Sequence, residues 1–256
     1  MSSYPIIAGF PNILSTATLT SSGVSGSYPL ANIIDWRTYI RAHLTSANPA
    51  SIAADWSGAN ITIDCWGVSG HDAFTQGNEL RLYGSNDGMS FTLIDTVIPT
   101  NNNTVFRVIA PTTYKYFLLS CNHIGGGAST QEVGVWYLGN YLEFPELLTT
   151  PFDMDIREQR IRSLRGETGL ELGNSYEYSL RKPVWTFNWL LSSWITGTFV
   201  PWFELAKKYP VFLSWDYTGH PLECYYLGWD MTEFGIPYNN IFRMPLVLKF
   251  KGIMEE

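Results

Sequence analysis

The sequence predicts a mainly β protein built from two bodies, and three observations carry that prediction. Short alternating apolar runs recur along the chain, each bounded by Gly, Asn, Pro or Ser, and helical periodicity is almost absent. The 256 residues are enough for two ordinary domains of about 100–200 residues. After about residue 155 the texture changes, as an arginine-rich segment and then a long uncharged run replace the regular strand punctuation. The first body reads as a β-sandwich and the second as an α+β domain with one short helix.

Residues 1–27, rich in Ser, Thr, Gly and Pro, predict a tail or a first edge strand. Tyr28 to His43 (YPLANIIDWRTYIRAH) gathers aromatic and charged residues after a proline and predicts a long structured loop. Ala59 to Trp66 alternates Ile61 and Ile63 with Thr62 and Asp64, the mark of a half-buried strand. Gly77 to Ile94 predicts a hairpin. Its apolar flanks meet at Ser85-Asn86-Asp87-Gly88, where Asn and Asp tolerate left-handed backbone angles and Gly adopts them freely. Val105–Ala110, Tyr114–Cys121 and Glu132–Leu138 are further strands, separated by Pro111-Thr112-Thr113 and by a loop from Asn122 to Thr130.

With 45% hydrophobic and 15% charged residues, the chain has material for real cores and too little charge for wholesale disorder. The net charge of −7 argues against a general phosphate-neutralising surface, so nucleic acid is not an expected partner. Ten Trp, 15 Tyr and 14 Phe suit either large β cores or surfaces that meet partner chains and sugars. Cys65, Cys121 and Cys224 form no CxxC pair; the odd count fits reduced thiols, with a Cys65–Cys121 bridge as the alternative. No charged region followed by an apolar run opens the chain, so no signal peptide is expected.

Four motifs in order carry a resemblance. They are Tyr28-Pro29 with Ala31-Asn32 and Asp35; Ile61-Thr62-Ile63-Asp64; Leu82 to Gly88 (LYGSNDG) with Phe91; and Tyr114 to Leu118 (YKYFL). Over roughly residues 10–140 the chain resembles the galactose-binding-like jelly roll of the discoidin and coagulation-factor C-terminal type, without the cysteine pair that brackets the extracellular variety. The resemblance implies a ligand face made by loops at one end of the sandwich: here Tyr28–Ser46, Gly67–Gln76 and Asn122–Thr130. Trp36, Arg37, Arg41, His43 and His71 would then form a stacking ring with donors for sugar hydroxyls or carboxylates. The bland alternative has Trp36 and Tyr39 plugging the sandwich end while Arg37 and Arg41 are solvated. Several members of this fold hold a structural calcium ion through loop oxygens. Asp35 and nearby carbonyls could serve, although no acidic cluster of calcium spacing appears. No other cofactor is expected.

Residues 141–155 predict an extended connector, giving boundaries of 1–140, 141–155 and 156–256. Ile156–Arg165 carries Arg157, Arg160, Arg162 and Arg165, as a solvated strand or a face for an acidic partner. Gly166 to Gly173 predicts a turn and a short strand, followed by Tyr176–Leu180. Val184–Phe203 has the length of a membrane span, but Thr, Asn, Ser, Gly and Pro interrupt it. It reads instead as a strand, then a helix in which Phe199, Trp202, Phe203 and Ala206 share a face, with Pro201 near its start; no membrane insertion is expected. Val211–Tyr217, Glu223–Met231 and Phe242–Phe250 complete the second body. The texture of YPVFLSWDYTG, YYLGWD and PLVLKFKG resembles the small β-domains from which bacteriophage tail-tube, distal-tail and baseplate proteins build rings.

No P-loop, strand-linked GxGxxG, HExxH or GxSxG is present, and the four histidines stand singly in predicted loops. Asp35, Asp55, Asp64 and Asp72 lie in or near the first body's loops, but nothing in the sequence pairs them as a glycosidase acid and base. The leading expectation is therefore a non-enzymatic phage virion protein of tail, baseplate or fibre-adaptor type, assembled in the host cytoplasm. Its partners would be other virion proteins and copies of itself, with surface glycans at the jelly roll. Its assembly interface would draw on Arg157, Arg160, Arg162, Trp202, Trp215 and Trp229. The alternative expectation is a carbohydrate-binding lectin, free or attached to a glycan-active enzyme.

Overall fold

The computed structural model describes residues 3–47, 49–126, 129–154, 156–165, 171–231 and 242–253. In chain order the strands are β1 (Ile6–Ala8), β2 (Thr18–Ser21), β3 (Ala42–Ala47), β4 (Ala50–Asp55), β5 (Ile61–Ser69), β6 (Asn78–Ser85), β7 (Thr92–Val97), β8 (Val105–Tyr114), β9 (Tyr116–His123), β10 (Ser129–Val133), β11 (Val135–Gly139), β12 (Leu142–Glu143), β13 (Arg157–Arg165), β14 (Glu171–Arg181), β15 (Val184–Leu191), β16 (Val211–Ser214), β17 (Cys224–Trp229) and β18 (Arg243–Ile253). One helical segment, 192–206, stands between β15 and β16. The mainly β class expected from the sequence is the class observed.

The chain divides into two compact units. One holds the described residues up to Phe144 together with Val211–Tyr226; the other holds Pro145–Pro210 and the described residues from Leu227 onward. The expected linker thus goes with the second unit from Pro145. Val211–Tyr226, placed by the sequence reading in the second body, goes with the first. The cause is β16, which pairs antiparallel with β1 in the register Ile6↔Ser214, Ile7↔Leu213 and Ala8↔Phe212.

The first unit is a jelly-roll β-sandwich. A five-stranded antiparallel sheet, β2-β4-β9-β6-β7, faces a three-stranded one, β11-β5-β8, and β10 pairs with β3 alongside. Period-two patterning in β4, β6 and β9 sends Ala50, Ile52, Leu80, Leu82, Phe117 and Leu119 inward. Trp66, Val68, Trp136 and Leu138 meet them from the smaller sheet. That smaller sheet is buried on its other side as well. Cys65, Phe106, Val135 and Tyr137 pack with Ile6, Ala8, Phe212 and Cys224 in a second cluster, centred on the Phe212 ring. Burial on both sides explains why VWYLG carries no polar alternation: a strand covered on two faces reads as a continuous apolar run.

Two expectations need correction here. Pro111-Thr112-Thr113 does not separate strands, because Thr112 and Thr113 continue β8 opposite Ile63 and Thr62, and a register shift between Ile63 and Cys65 absorbs Pro111. Glu132–Leu138 is two strands, not one, broken at Gly134 as the chain passes from β3 to β5. Of the two expectations for the first 27 residues, the edge strand is the one observed: residues 3–27 supply β1, a 3₁₀ turn and β2, which lies at the edge of the five-stranded sheet. All three cysteines are buried thiols outside any disulfide, Cys65 in the second cluster and Cys121 in the main core.

In the second unit β18 pairs with β15, with the end of β14 and with Gly228 and Trp229 of β17, while β13 pairs with β14. The turn expected over Gly166 to Gly173 lies, for 166–170, outside the described residues. The uncharged run resolves into β15 followed by the helical segment, which begins at Ser192, seven residues before the expected Phe199. A Pro within a helix lacks an N–H and crowds the carbonyl four residues back. Just before Pro201 the helix widens, so that the Val200 N–H reaches the Ile195 carbonyl. Phe203 and Trp229 meet edge to face at 4.9 Å, and Trp229 lies 5.0 Å from Phe250. Among the described residues no helix is long and apolar enough to cross a membrane.

Candidate functional site

The end-loop surface is built on two glycines. Gly70 has φ +66°, and a Cβ on it would come within 2.5 Å of the Thr38 carbonyl oxygen; a Cβ on Gly134 would come within 2.6 Å of the same atom. Only residues without side chains let the 28–43 loop lie this close on β5 and the β10–β11 junction. The Gly134 N–H also donates to the Gly70 carbonyl at 3.1 Å. The loop is fixed elsewhere by Asn32, whose amide donates to the Arg41 carbonyl at 2.8 Å, and by the Tyr226 hydroxyl, which donates to the Trp36 carbonyl at 3.1 Å.

On that frame the loop displays Trp36, 50% exposed, and Tyr39, 74% exposed. The bland alternative, that both plug the sandwich end, is therefore overturned: Leu14, Ile33, Trp66 and Trp136 already fill that core. Arg37 lies between the two rings, 5.8 Å from the Trp36 centroid and 6.0 Å from that of Tyr39, within reach of a cation–π contact. Asp35 grips it from the other side. Its Oδ1 accepts from Arg37 Nε at 2.8 Å and from the Arg37 N–H at 3.1 Å, and its Oδ2 accepts from Nη2 at 2.6 Å. This side-chain pairing holds the Asp35 carboxyl below its ordinary range and raises the Arg37 guanidinium further above neutrality.

Arg41 and His43 belong to a neighbouring cluster. Arg41 Nη1 donates to Glu132 Oε2 at 2.6 Å, and His43 Nε2 lies 3.3 Å from Glu132 Oε1. The His43 ring stacks on Tyr28, with centroids 3.7 Å apart and planes at 2°. Beneath them Asp72 accepts from the Gln131 side chain at 2.6 Å, the Glu132 N–H at 2.7 Å and the Gln76 side chain at 3.0 Å. Burial raises its carboxyl above the ordinary range despite those donors.

His71 does not join the surface. It is 2% exposed, its Nε2 lies 2.8 Å from the Asn103 carbonyl oxygen and its Nδ1 accepts from the Ala73 N–H at 3.3 Å, so it serves as a core histidine. Of the five expected ligand residues, Trp36 and Arg37 form one exposed patch with Tyr39, Arg41 and His43 gather round Glu132, and His71 is structural. The sequence reading missed Glu132. It stands 91 residues from Arg41, and only the β10–β3 register, Glu132↔His43, brings it there.

The expected assembly residues are dispersed. Trp229 is buried in the second unit's core, with Nε1 donating to the Ala206 carbonyl. Trp202 is half-buried, its ring 6.3 Å from Trp229. Trp215 belongs to the first unit, its ring tilted against His220 at 4.4 Å and its Nε1 donating to Glu223 at 2.8 Å. Arg157 is exposed opposite Arg181 on β13, while the side chains of Arg160 and Arg162 lie outside the described residues.

No group of three or more His, Cys, Asp or Glu side chains that could hold a metal ion occurs among the described residues. No protein-family model matches the sequence, and no curated protein matches it. Solved structures similar to about half of it include chitosan-binding module 1 of a chitosanase/glucanase from Paenibacillus sp. IK-5, at 16% identity, covering 50% of this chain and 97% of the module with a TM-score of 0.42. A module from Clostridium perfringens, CpGH89CBM32-5, in complex with GalNAc-β-1,3-galactose, is 14% identical and covers 50% of this chain and 98% of its own, with a TM-score of 0.41. The CBM32-1 module of a family 31 glycoside hydrolase from C. perfringens is 14% identical, covering 51% and 98%, with a TM-score of 0.42.

Proposed function

We propose that the first unit is a non-catalytic carbohydrate-binding module whose contact surface is the 35–39 loop. The observation that carries this reading is the exposure of Trp36 and Tyr39 on either side of a guanidinium already locked by Asp35. Flat amphipathic rings offer contact area to the C–H face of a sugar at low entropy cost, and the guanidinium edge turned away from Asp35 supplies donors for hydroxyls. Catalysis has no comparable support. Asp35 and Glu132 are held in ion pairs and Asp72 is covered by amide donors, so none is poised as an acid and base across a glycosidic bond.

Glycan-array screening of the full chain, followed by calorimetry on the best ligand, tests the reading. Trp36→Ala and Tyr39→Ala are each expected to weaken binding about tenfold, since exposed aromatic anchors typically contribute upwards of 1 kcal/mol. Wild-type affinity in both variants, or no binding across neutral, acidic and amino glycans, would sink it.

The reading reverses the order of the two sequence expectations. Assembly into a phage particle stays as the second reading, favoured by exposed apolar side chains on the second unit, among them Trp189 at 62% and Leu205 at 60%. Sizing of the purified chain separates the two: a monomer that binds glycan supports the first, and a ring without glycan affinity supports the second.

A further inference from the structure

The resemblance to galactose-binding-like jelly rolls implies a structural calcium ion held by loop oxygens, with Asp35 as the first candidate ligand. The residues present do not fit that ion. Calcium takes six to eight oxygens and relies on carboxylates whose lone pairs face it. In the end loops the carboxylates are already engaged by groups of this chain. Asp35 Oδ1 and Oδ2 face Arg37, Glu132 Oε1 and Oε2 face His43 and Arg41, and Asp72 Oδ1 and Oδ2 face Gln131 with the Glu132 N–H, and Gln76. An ion entering any of these places would have to displace these partners from the carboxylates.

We propose that the guanidinium of Arg37 is the resident cation of this loop, so that the end-loop surface holds its shape without calcium. Arg37 is bidentate on Asp35, takes a third bond through its own N–H, and lies against the rings on both sides of it in sequence. It is thus a positioning residue for Trp36 and Tyr39. A planar fork can do this; a lysine, a point charge on a flexible stem, cannot hold two carboxylate oxygens and two rings at once. The carboxylate geometry and the ring contacts carry this independently of glycan binding.

Two glycan-free measurements on the full chain test it, so that its failure and that of the proposed function remain distinguishable. Calorimetric titration of EDTA-treated protein with calcium chloride is expected to give only the heat of dilution, and millimolar calcium is expected to leave Tm unchanged. Arg37→Gln is expected to lower Tm by a few degrees, with Arg37→Lys recovering less than half. If Arg37→Gln proves too unstable to purify, Asp35→Asn, which removes the same bidentate pair, is expected to show the same drop. Saturable calcium binding, a calcium-dependent rise in Tm, or an Arg37→Gln variant as stable as the wild type would each overturn the proposal.

Discussion

Asp216 shows how much a single carboxylate can organise. Its Oδ1 accepts from the Ser3 N–H at 2.8 Å, the Ser3 hydroxyl at 2.9 Å and the Gly219 N–H at 2.9 Å, tying the start of the chain to the 216–219 turn. Burial alone would raise its pKa, but the N–H groups of Gly219 and Ser3 outweigh that and hold it at about 2. In the unfolded chain an Asp titrates near about 3.9. The stabilisation is therefore fully present above about pH 4 and is lost as pH falls through about 2. Asp216→Asn is expected to cost about 1–2 kcal/mol at neutral pH, because an acceptor that faces several donors becomes part donor. Denaturant titrations of both proteins between pH 7 and pH 2 check this, and a difference that does not shrink below pH 4 would contradict it. Legibility at this scale follows the range of the contact. The tip Ser85-Asn86-Asp87-Gly88 closes on itself as its composition predicts, with Asp87 accepting from the Met89 and Ser90 N–H groups. By contrast, His71 and Glu132 owe their roles to residues 32 and 91 positions away, which no local pattern reports.

At the scale of elements, β5 is the strand most constrained by its neighbours. It pairs with β11 on one edge and β8 on the other, and it is covered on both faces. Gly67 sits where a Cβ would lie 2.8 Å from Cε1 of Phe212, a ring held among Phe106, Tyr137 and Tyr226. Gly67→Ala is thus expected to destabilise the first unit by about 1–3 kcal/mol through overpacking, with the loss relieved in a Gly67→Ala/Phe212→Leu double variant. Thermal denaturation reads both, and additive losses would count against a shared contact. The sequence reading ended this strand at Trp66 and assigned Gly67 to a loop, because a glycine amid apolar residues marks a turn as often as a close approach. The β6–β7 hairpin, whose register is local, was legible from its turn and its alternation. The helix start was not, since Leu191 offers no capping side chain and Thr196 and Gly197 weaken the helical pattern.

For the whole molecule, two β-rich bodies and their order were legible from texture, whereas the return of Val211–Tyr226 to the first unit was not. Strand pairing at long range depends on which edge lies open, and β1 offers its edge to a segment some 200 residues further on. A chain ending at Phe144 is expected to leave Ile6, Phe106, Val135 and Tyr137 without the Phe212 ring that covers them. It should bind a hydrophobic dye and self-associate, whereas the full chain should not. A truncated protein that stays monomeric with the full chain's Tm would refute this.

The same connectivity bears on how the protein is made. Ribosomes add about 5–20 residues each second, so roughly 10–40 s separate the emergence of Ile6–Ala8 from that of Val211–Ser214. Through that interval the nascent jelly roll carries an open edge and an uncovered aromatic cluster, with the whole Pro145–Pro210 segment synthesised in between. Chaperone dependence during synthesis follows, and slowing elongation over residues 145–210 should lower soluble yield even where the finished protein is stable.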